Sequence, residues 1–239
     1  MTGGIRGAPR RLLGAFGEVL ITVGVLLLLF VAWQLWWTDV TADREQVDTV
    51  RSLESDFGEG HHAGVAGPEA LATLNSVPFG KAFAIVRIPR FGAGFARPVL
   101  EGTDRDILKQ GVGHYVGTAM PGEVGNFAVA GHRTTYGKPF HNIDHLRAGD
   151  LIVIETKASY IVYAVDRHVL VRPGQVEVLA PVPQHPGAKP TAAWMTMTSC
   201  HPKYSAIQRY VVFSRLVRVI PRADGLPASV MAVPAGWKA

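Results

Sequence analysis

The chain contains one cysteine, Cys200, within the stretch TMTSCHPKYSAIQRY (196–210). A thiol nucleophile needs a group to take its proton and a donor for the oxyanion formed when it attacks a carbonyl. Arg209 lies in the same stretch. A nearby guanidinium favours the thiolate and can offer paired N–H groups to a developing oxyanion. Two histidines compete for the role of base. His201 adjoins Cys200, but neighbours on an extended chain point to opposite sides. His132 closes the small apolar stretch FAVAG (127–131) and opens the polar stretch RTTYGKPF (133–140), which places it at a strand end facing a loop. These features make Cys200 a candidate nucleophile, His132 a candidate base and Arg209 a candidate oxyanion partner. The competing reading of any lone cysteine is a buried, inert thiol.

The remaining histidines support weaker chemistry. His141 and His145 flank Asp144 in HNIDH, and they would share one face of a helix. The glutamate of the H-E-x-x-H zinc pattern is missing, however, and no third ligand suggests itself. His61 and His62 are adjacent in a glycine-rich stretch, which suits solvated side chains better than a metal site. The acidic residues near the expected loops are scattered rather than clustered as calcium would need. No metal and no cofactor is expected. A single cysteine also excludes an internal disulfide framework and a cysteine-rich zinc site.

The elements that would position these groups read as β-strands. FAIVRI (83–88) is β-branched and stops at Pro89. RPVLEG (97–102), NFAVAGH (126–132), residues 151–156, the long run SYIVYAVDRHVLVR (159–172), QVEVL (175–179), AAWMTMTS (192–199) and RYVVFSRLVRVI (209–220) follow. Asp166-Arg167 near the middle of the long run predicts a bulge. TDRDILKQG (103–111) reads as a helical turn with Thr103 or Asp104 as N-cap and Gly111 as stop. Eight strands with one or two short helices, separated by turn residues, predict a mainly β domain closed as a barrel or sandwich.

Before this domain stands VLITVGVLLLLFVAWQLWW (19–37), interrupted only by Thr22 and Gln34. About twenty such residues cross a hydrocarbon core of about 30 Å. Trp33, Trp36 and Trp37 cluster at one end, where indole rings favour the headgroup level. VTA (40–42) resembles a signal-peptide cleavage site, but the apolar run is longer than a signal-peptide core, so an uncleaved anchor is the preferred reading. The charges are unevenly placed. Residues 1–18 carry three arginines against one acid, residues 38–79 carry eight acids against two arginines, and residues 80–239 carry nineteen basic groups against ten acids. The arginine-bearing flank predicts a cytoplasmic N-terminus and an extracellular remainder on the plasma membrane. A basic extracellular domain suits anionic lipid or cell-wall polymer, and nucleic acid is not an expected partner. The expected organisation is a cytoplasmic N-terminus (1–18), a transmembrane anchor (19–37), an acidic stalk or linker (38–79), a β domain (80–220) and an irregular tail (221–239). Within the stalk, Val40, Val47, Val50, Leu53 and Phe57 have near-helical spacing. LPASV (226–230) in the tail resembles a sorting signal, but no apolar segment with a basic tail follows it.

TMTSC with the downstream arginine resembles the T-L-x-T-C…R signature of the sortases, membrane-anchored cysteine transpeptidases of Gram-positive bacteria. AVAGHR resembles their histidine motif. The resemblance covers residues 80–220 and implies a sortase-like closed β-barrel. It implies Cys200 as the nucleophile that forms an acyl-thioester, His132 as general acid/base and Arg209 as the substrate and oxyanion holder. Met197 stands where leucine is usual and Ser199 where threonine is usual, both conservative in size. GHYVGTAMPGEVGNFAVAGHR is most similar to the class E sortases of high-GC actinobacteria, and arginine outnumbers lysine 17 to 7. That similarity implies a substrate-binding role for Tyr115, linked to alanine rather than proline in an LAxTG-type sorting signal, because proline lacks the amide N–H that a phenol could meet. Thr196, Thr198 and Ser199 are expected beside it in the substrate site. The implied reaction cleaves an LAxTG/LPxTG-type signal between Thr and Gly and joins the surface protein to an amine of a peptidoglycan precursor. A pilin-polymerising sortase, a plain cysteine hydrolase and an anchored extracellular binding module with a structural cysteine remain the alternatives.

Overall fold

The computed structural model describes residues 8–58 and 77–233. The paired histidines His61 and His62 lie outside the described residues. Eight strands close into a barrel in the order β1-β2-β3-β4-β7-β8-β6-β5. They are β1 (Ala82–Arg87), β2 (Ala96–Glu101), β3 (Val112–His114), β4 (Gly125–Ala130), β5 (Leu151–Glu155), β6 (Ser159–Val171), β7 (Ala193–His201) and β8 (Gln208–Pro221). The β2–β3 and β4–β7 pairs are parallel and the others antiparallel. Closure leaves no free sheet edge. Phe127, Val129, Met195, Met197, Ile154, Ile161, Tyr163 and Val212 fill the interior. The bulge expected in the long strand is present, because the β6–β8 register skips Asp166 between Val165 and Arg167.

The strand count stands at eight, but its membership differs from the expectation at two places. QVEVL is not a strand. Val176–Leu179 form a 3₁₀ turn, and Val178 packs on Trp194, Val211 and Phe213 outside the barrel. Pro173-Gly174 and Pro181 bracket the segment and leave no length for a ladder. Side chains fasten it instead: Asn126 Nδ2 donates to Val178 O (3.1 Å) and Ala180 O (3.0 Å). The eighth strand is β3, three residues in a glycine-rich stretch without strand periodicity. Gly113 is required there because a Cβ would lie 2.3 Å from Gly102 O.

The helical turn forms as α2 (Arg105–Gln110), with Asp104 at the N-cap position and Gly111 after its end. The first helix, α1 (Ala8–Gly58), is one continuous element of 51 residues, about 76 Å long at 1.5 Å per residue. It is long and apolar enough to cross a membrane. Leu26 to Phe30, Trp33, Trp36 and Trp37 are exposed rather than packed on the barrel.

Beyond Trp37 the helix docks. Val50, Leu53 and Phe57 bury one face against Ile85 of β1, and each fully buried side chain of this kind contributes about 1.5–3 kcal/mol. Ile85 points outward while its neighbours Ala84 and Val86 join the interior. Burial on both faces explains why FAIVRI reads as a continuous apolar run without alternation. The opposite charges of the two segments also meet. Asp43 pairs with Arg97 at 2.6 Å, Glu54 with Arg87 at 2.5 Å and Asp39 with Lys138 at 2.6 Å. In the tail, Val230 of LPASV is buried against Val153, Val162 and Ile220. The resemblance of this pentapeptide to a sorting signal thus falls on residues that fasten the tail.

Candidate active site

Three adjacent strands carry the expected chemistry. In β7, Met195 and Met197 point into the barrel, so Thr196, Thr198 and Cys200 point outward. In β8, Tyr210 and Val212 point in, so Arg209 and Val211 point out. Cys200 and Arg209 are direct partners in the antiparallel β7–β8 register, which puts their Cβ atoms about 4.5–5.5 Å apart. On the other side of β7, the parallel ladder with β4 ends at Ala130↔Thr198. Gly131 N–H continues it to Thr198 O at 3.1 Å. Two residues beyond that last pair, His132 stands level with Cys200. The three residues therefore occupy one rung across β4, β7 and β8, and Cys200 is half-buried rather than sealed in the core.

His132 is held from both sides. Gly131 precedes it because the Phe140 ring would lie 2.7 Å from any Cβ there. Phe140 N–H donates to His132 O at 3.0 Å and closes the loop between them. The His132 ring sits 5.2 Å from that of Tyr136. Its Nε2 is buried and meets no hydrogen-bonding group among the described residues, and such orphaned polar atoms call for a functional explanation. Burial lowers the His132 pKa below its ordinary value of 6.5, and the charges of Arg105 and Lys109 lower it further. The imidazole is therefore neutral at pH 7, the state of a base ready to accept a proton. Arg209 is pinned by its own Nη1, which donates to Ala206 O (3.0 Å) and Gln208 O (3.1 Å).

His201 turns away from this rung. Its Nδ1 accepts from Arg133 Nη1 at 2.9 Å, and its ring lies 5.7 Å from that of Tyr210. His141 is engaged elsewhere too. Its Nδ1 donates to Arg133 O at 2.9 Å, and Lys203 Nζ donates to its Nε2 at 3.1 Å. His145 lies in the 3₁₀ turn Ile143–His145, not on an α-helical face shared with His141.

Of the residues expected in the substrate site, Tyr115 and Thr198 come together, with Tyr115 Oη 3.0 Å from Thr198 Oγ1. Thr198 Oγ1 donates to Val129 O at 3.3 Å, so the phenol is the donor and its remaining lone pairs stay available. Thr196 and Ser199 are placed differently. Thr196 is fully buried and donates to Asn126 Oδ1 at 2.7 Å, while Ser199, also buried, donates to Gly131 O at 2.8 Å. Thr196 shares the outward face with Cys200 but is covered there by Asn126 and the Val178 carbonyl, and Ser199 lies on the opposite face of β7, so both hydroxyls are taken up by neighbouring protein groups.

Arg133 has a part that its sequence position did not reveal. It is 2% exposed and pairs with Asp144 at 2.6 Å. Its Nη1 also donates to Cys200 O at 3.3 Å, and its guanidinium lies 5.6 Å from the Tyr210 ring centre. One side chain thus ties the residue after His132 to the backbone of Cys200. Burial pushes the Asp144 carboxyl up, but Arg133 overrides it and holds the group below its usual range. Arg133→Met should destabilise the barrel by about 2–3 kcal/mol in urea unfolding. This is below the value for fully buried pairs, because Asp144 keeps part of its surface in solvent.

A sortase domain family model matches residues 86–217. The chain belongs to the sortase family. It is 37% identical over 225 residues to sortase SrtE1 of Streptomyces coelicolor, covering 91% of this chain and 60% of that protein. Sortase SrtE2 of the same organism is 37% identical over 221 residues, with 87% and 83% covered. Among solved structures, sortase E from Streptomyces avermitilis is 40% identical with a TM-score of 0.59, covering 64% of this chain and 99% of that one. Sortase E1 from Streptomyces coelicolor, solved with a tripeptide in its active site, is 35% identical with a TM-score of 0.58, covering 65% and 99%. The sortase barrel is therefore established for this chain, and the relatives are of the class E type. The chain spans less than two thirds of the length of the first of these relatives.

Proposed function

We propose that this sortase is a membrane-anchored cysteine transpeptidase acting on the outer face of the plasma membrane. The observation that carries the reading is the single rung shared by His132, Cys200 and Arg209 on the outward face of three adjacent strands. Neutral His132 takes the Cys200 proton, and the thiolate attacks the Thr carbonyl of an LAxTG/LPxTG-type signal. Arg209 stabilises the oxyanion. The Thr–Gly C–N bond breaks, and His132 passes its proton to the departing glycine amine, leaving an acyl-thioester on Sγ. An amine of a peptidoglycan precursor then attacks the thioester and gives a proton to His132, and Cys200 leaves as thiolate. The product is a new amide bond.

The free lone pairs of Tyr115 Oη suit a substrate N–H, which an alanine after the leucine offers and a proline does not. Thr198 orients that phenol. The apolar part of α1 serves as the anchor, with the arginine-bearing end in the cytoplasm. Anchoring holds the site close to membrane-bound acceptor and emerging substrate, which raises effective concentration.

Incubating the full chain in detergent micelles with LAxTG and LPxTG peptides tests this reading. Cleavage between Thr and Gly, with the acyl part transferred to an added amine, is expected, and the LAxTG peptide should be preferred. Mass spectrometry reads both products. Cleavage that yields only the free acid at every amine concentration would identify a hydrolase instead.

A further inference from the structure

Helix α1 reaches past the barrel wall to the loop that follows His132. Gln46 is fully buried, and its Nε2 donates to Tyr136 O at 2.9 Å and Lys109 O at 3.2 Å. Asp39 Oδ1 accepts Gly137 N–H at 3.0 Å, and Asp39 Oδ2 pairs with Lys138 Nζ at 2.6 Å. Tyr136, Gly137 and Lys138 have φ of 52°, 72° and 44°. Three consecutive left-handed residues, two of them not glycine, persist only where their surroundings hold them. The surroundings here are α1. A Cβ on Gly137 would lie 2.9 Å from Gln46 Nε2, so the amide of Gln46 lies directly against this backbone.

The same short run faces the expected acid/base. Tyr136 packs on His132, and Lys109 lies with its Nζ 5.7 Å from the centre of the Tyr136 ring. The groups that face His132 are Arg105 and Lys109 from α2 and Tyr136 from its own loop, with Cys200 of β7 and Arg209 of β8 along the same rung. Gln46 thus grips both the loop that packs on His132 and the end of the helix that supplies two of its cations.

We propose that Gln46, seconded by Asp39, is a positioning residue for His132, so that the helix leaving the membrane completes the site on the barrel. This rests on the acid/base role given to His132 above. Releasing the grip lets Tyr136 and Lys109 move away from the imidazole, which then meets more water and less positive charge. Its protonated form becomes easier to reach, so the acid limb of kcat/KM moves to higher pH.

The test uses the full chain in detergent micelles. Gln46→Met keeps the length of the side chain and removes its donors. It should lower kcat for transpeptidation about 10- to 100-fold, the scale on which remote misplacement acts, with KM for the sorting peptide unchanged and the acid limb raised. Asp39→Ala should move the same quantities in the same direction by a smaller factor. Asp48→Asn, on the exposed side of the same helix, should match the parent. Wild-type kcat and an unmoved acid limb in Gln46→Met would overturn the proposal. Should Gln46→Met fail to fold, as read by its thermal midpoint, Asp39→Ala decides on the same two readouts. His132→Ala separates the two claims. Retained turnover there removes the role of His132 itself, whereas an inactive His132→Ala beside a fully active Gln46→Met removes only the positioning role.

Discussion

Cys200→Ala is expected to abolish cleavage of the sorting peptide and to leave no acyl adduct on the protein. The side chain points outward from β7, so the substitution leaves no cavity in the barrel interior. The barrel should unfold at an unchanged denaturant midpoint, and loss of activity with intact folding is the signature of a nucleophile. Alanine offers no lone pair for the Thr carbonyl. Neither Arg209 nor His132 replaces it, since a guanidinium has no acceptor and the imidazole lies across the β4–β7 ladder. Intact-mass measurement after mixing with an LAxTG peptide reads the thioester directly. Full turnover in this variant would sink the mechanism and return Cys200 to the class of inert structural thiols.

Arg209→Ala is expected to slow acylation about 10²- to 10³-fold, the usual cost of losing one preorganised oxyanion donor. The structure holds Arg209 in place. The two carbonyls of Ala206 and Gln208 fix Nη1, and the β7–β8 register fixes the backbone opposite Cys200. Arg209→Lys keeps the charge but loses the planar fork, so it should recover only part of the rate. Single-turnover acylation separates this effect from peptide binding. An unchanged acylation rate in Arg209→Ala would remove the oxyanion role and leave the arginine as a packing residue.

Much of the candidate site was legible in the sequence because its three residue types are chemically distinctive and lie at strand ends, and the fold brings them to one rung. The parity rule demoted His201 as partner of Cys200, and the structure turns that ring toward Arg133 and Tyr210. The strands with clear alternation or β-branched runs appear where their patterns put them. QVEVL misled because a short apolar alternation also suits a 3₁₀ turn that lays one valine on the outside of a barrel. β3 escaped notice because its middle residue must be glycine to let Gly102 approach. Thr196 and Ser199 belong to the recognisable motif, yet their hydroxyls are bound internally.

The sequence by itself determined the candidate chemistry and the classes of element. The motif with the lone thiol and its arginine, the stretch that ends at the histidine, the apolar span and the period-two strands are local properties, each written within one short segment. Only the tertiary structure decided what holds them. Gln46 meets partners 63 and 90 positions away, and Arg133 reaches the carbonyl of Cys200 across 67. Such contacts leave no periodic mark in a chain, because they arise when barrel closure and helix docking bring distant backbones together. The charge asymmetry carried a hint of this. An acidic segment ahead of a basic domain read as a stalk, and in the folded chain its helical part binds the barrel through Asp39, Asp43 and Glu54.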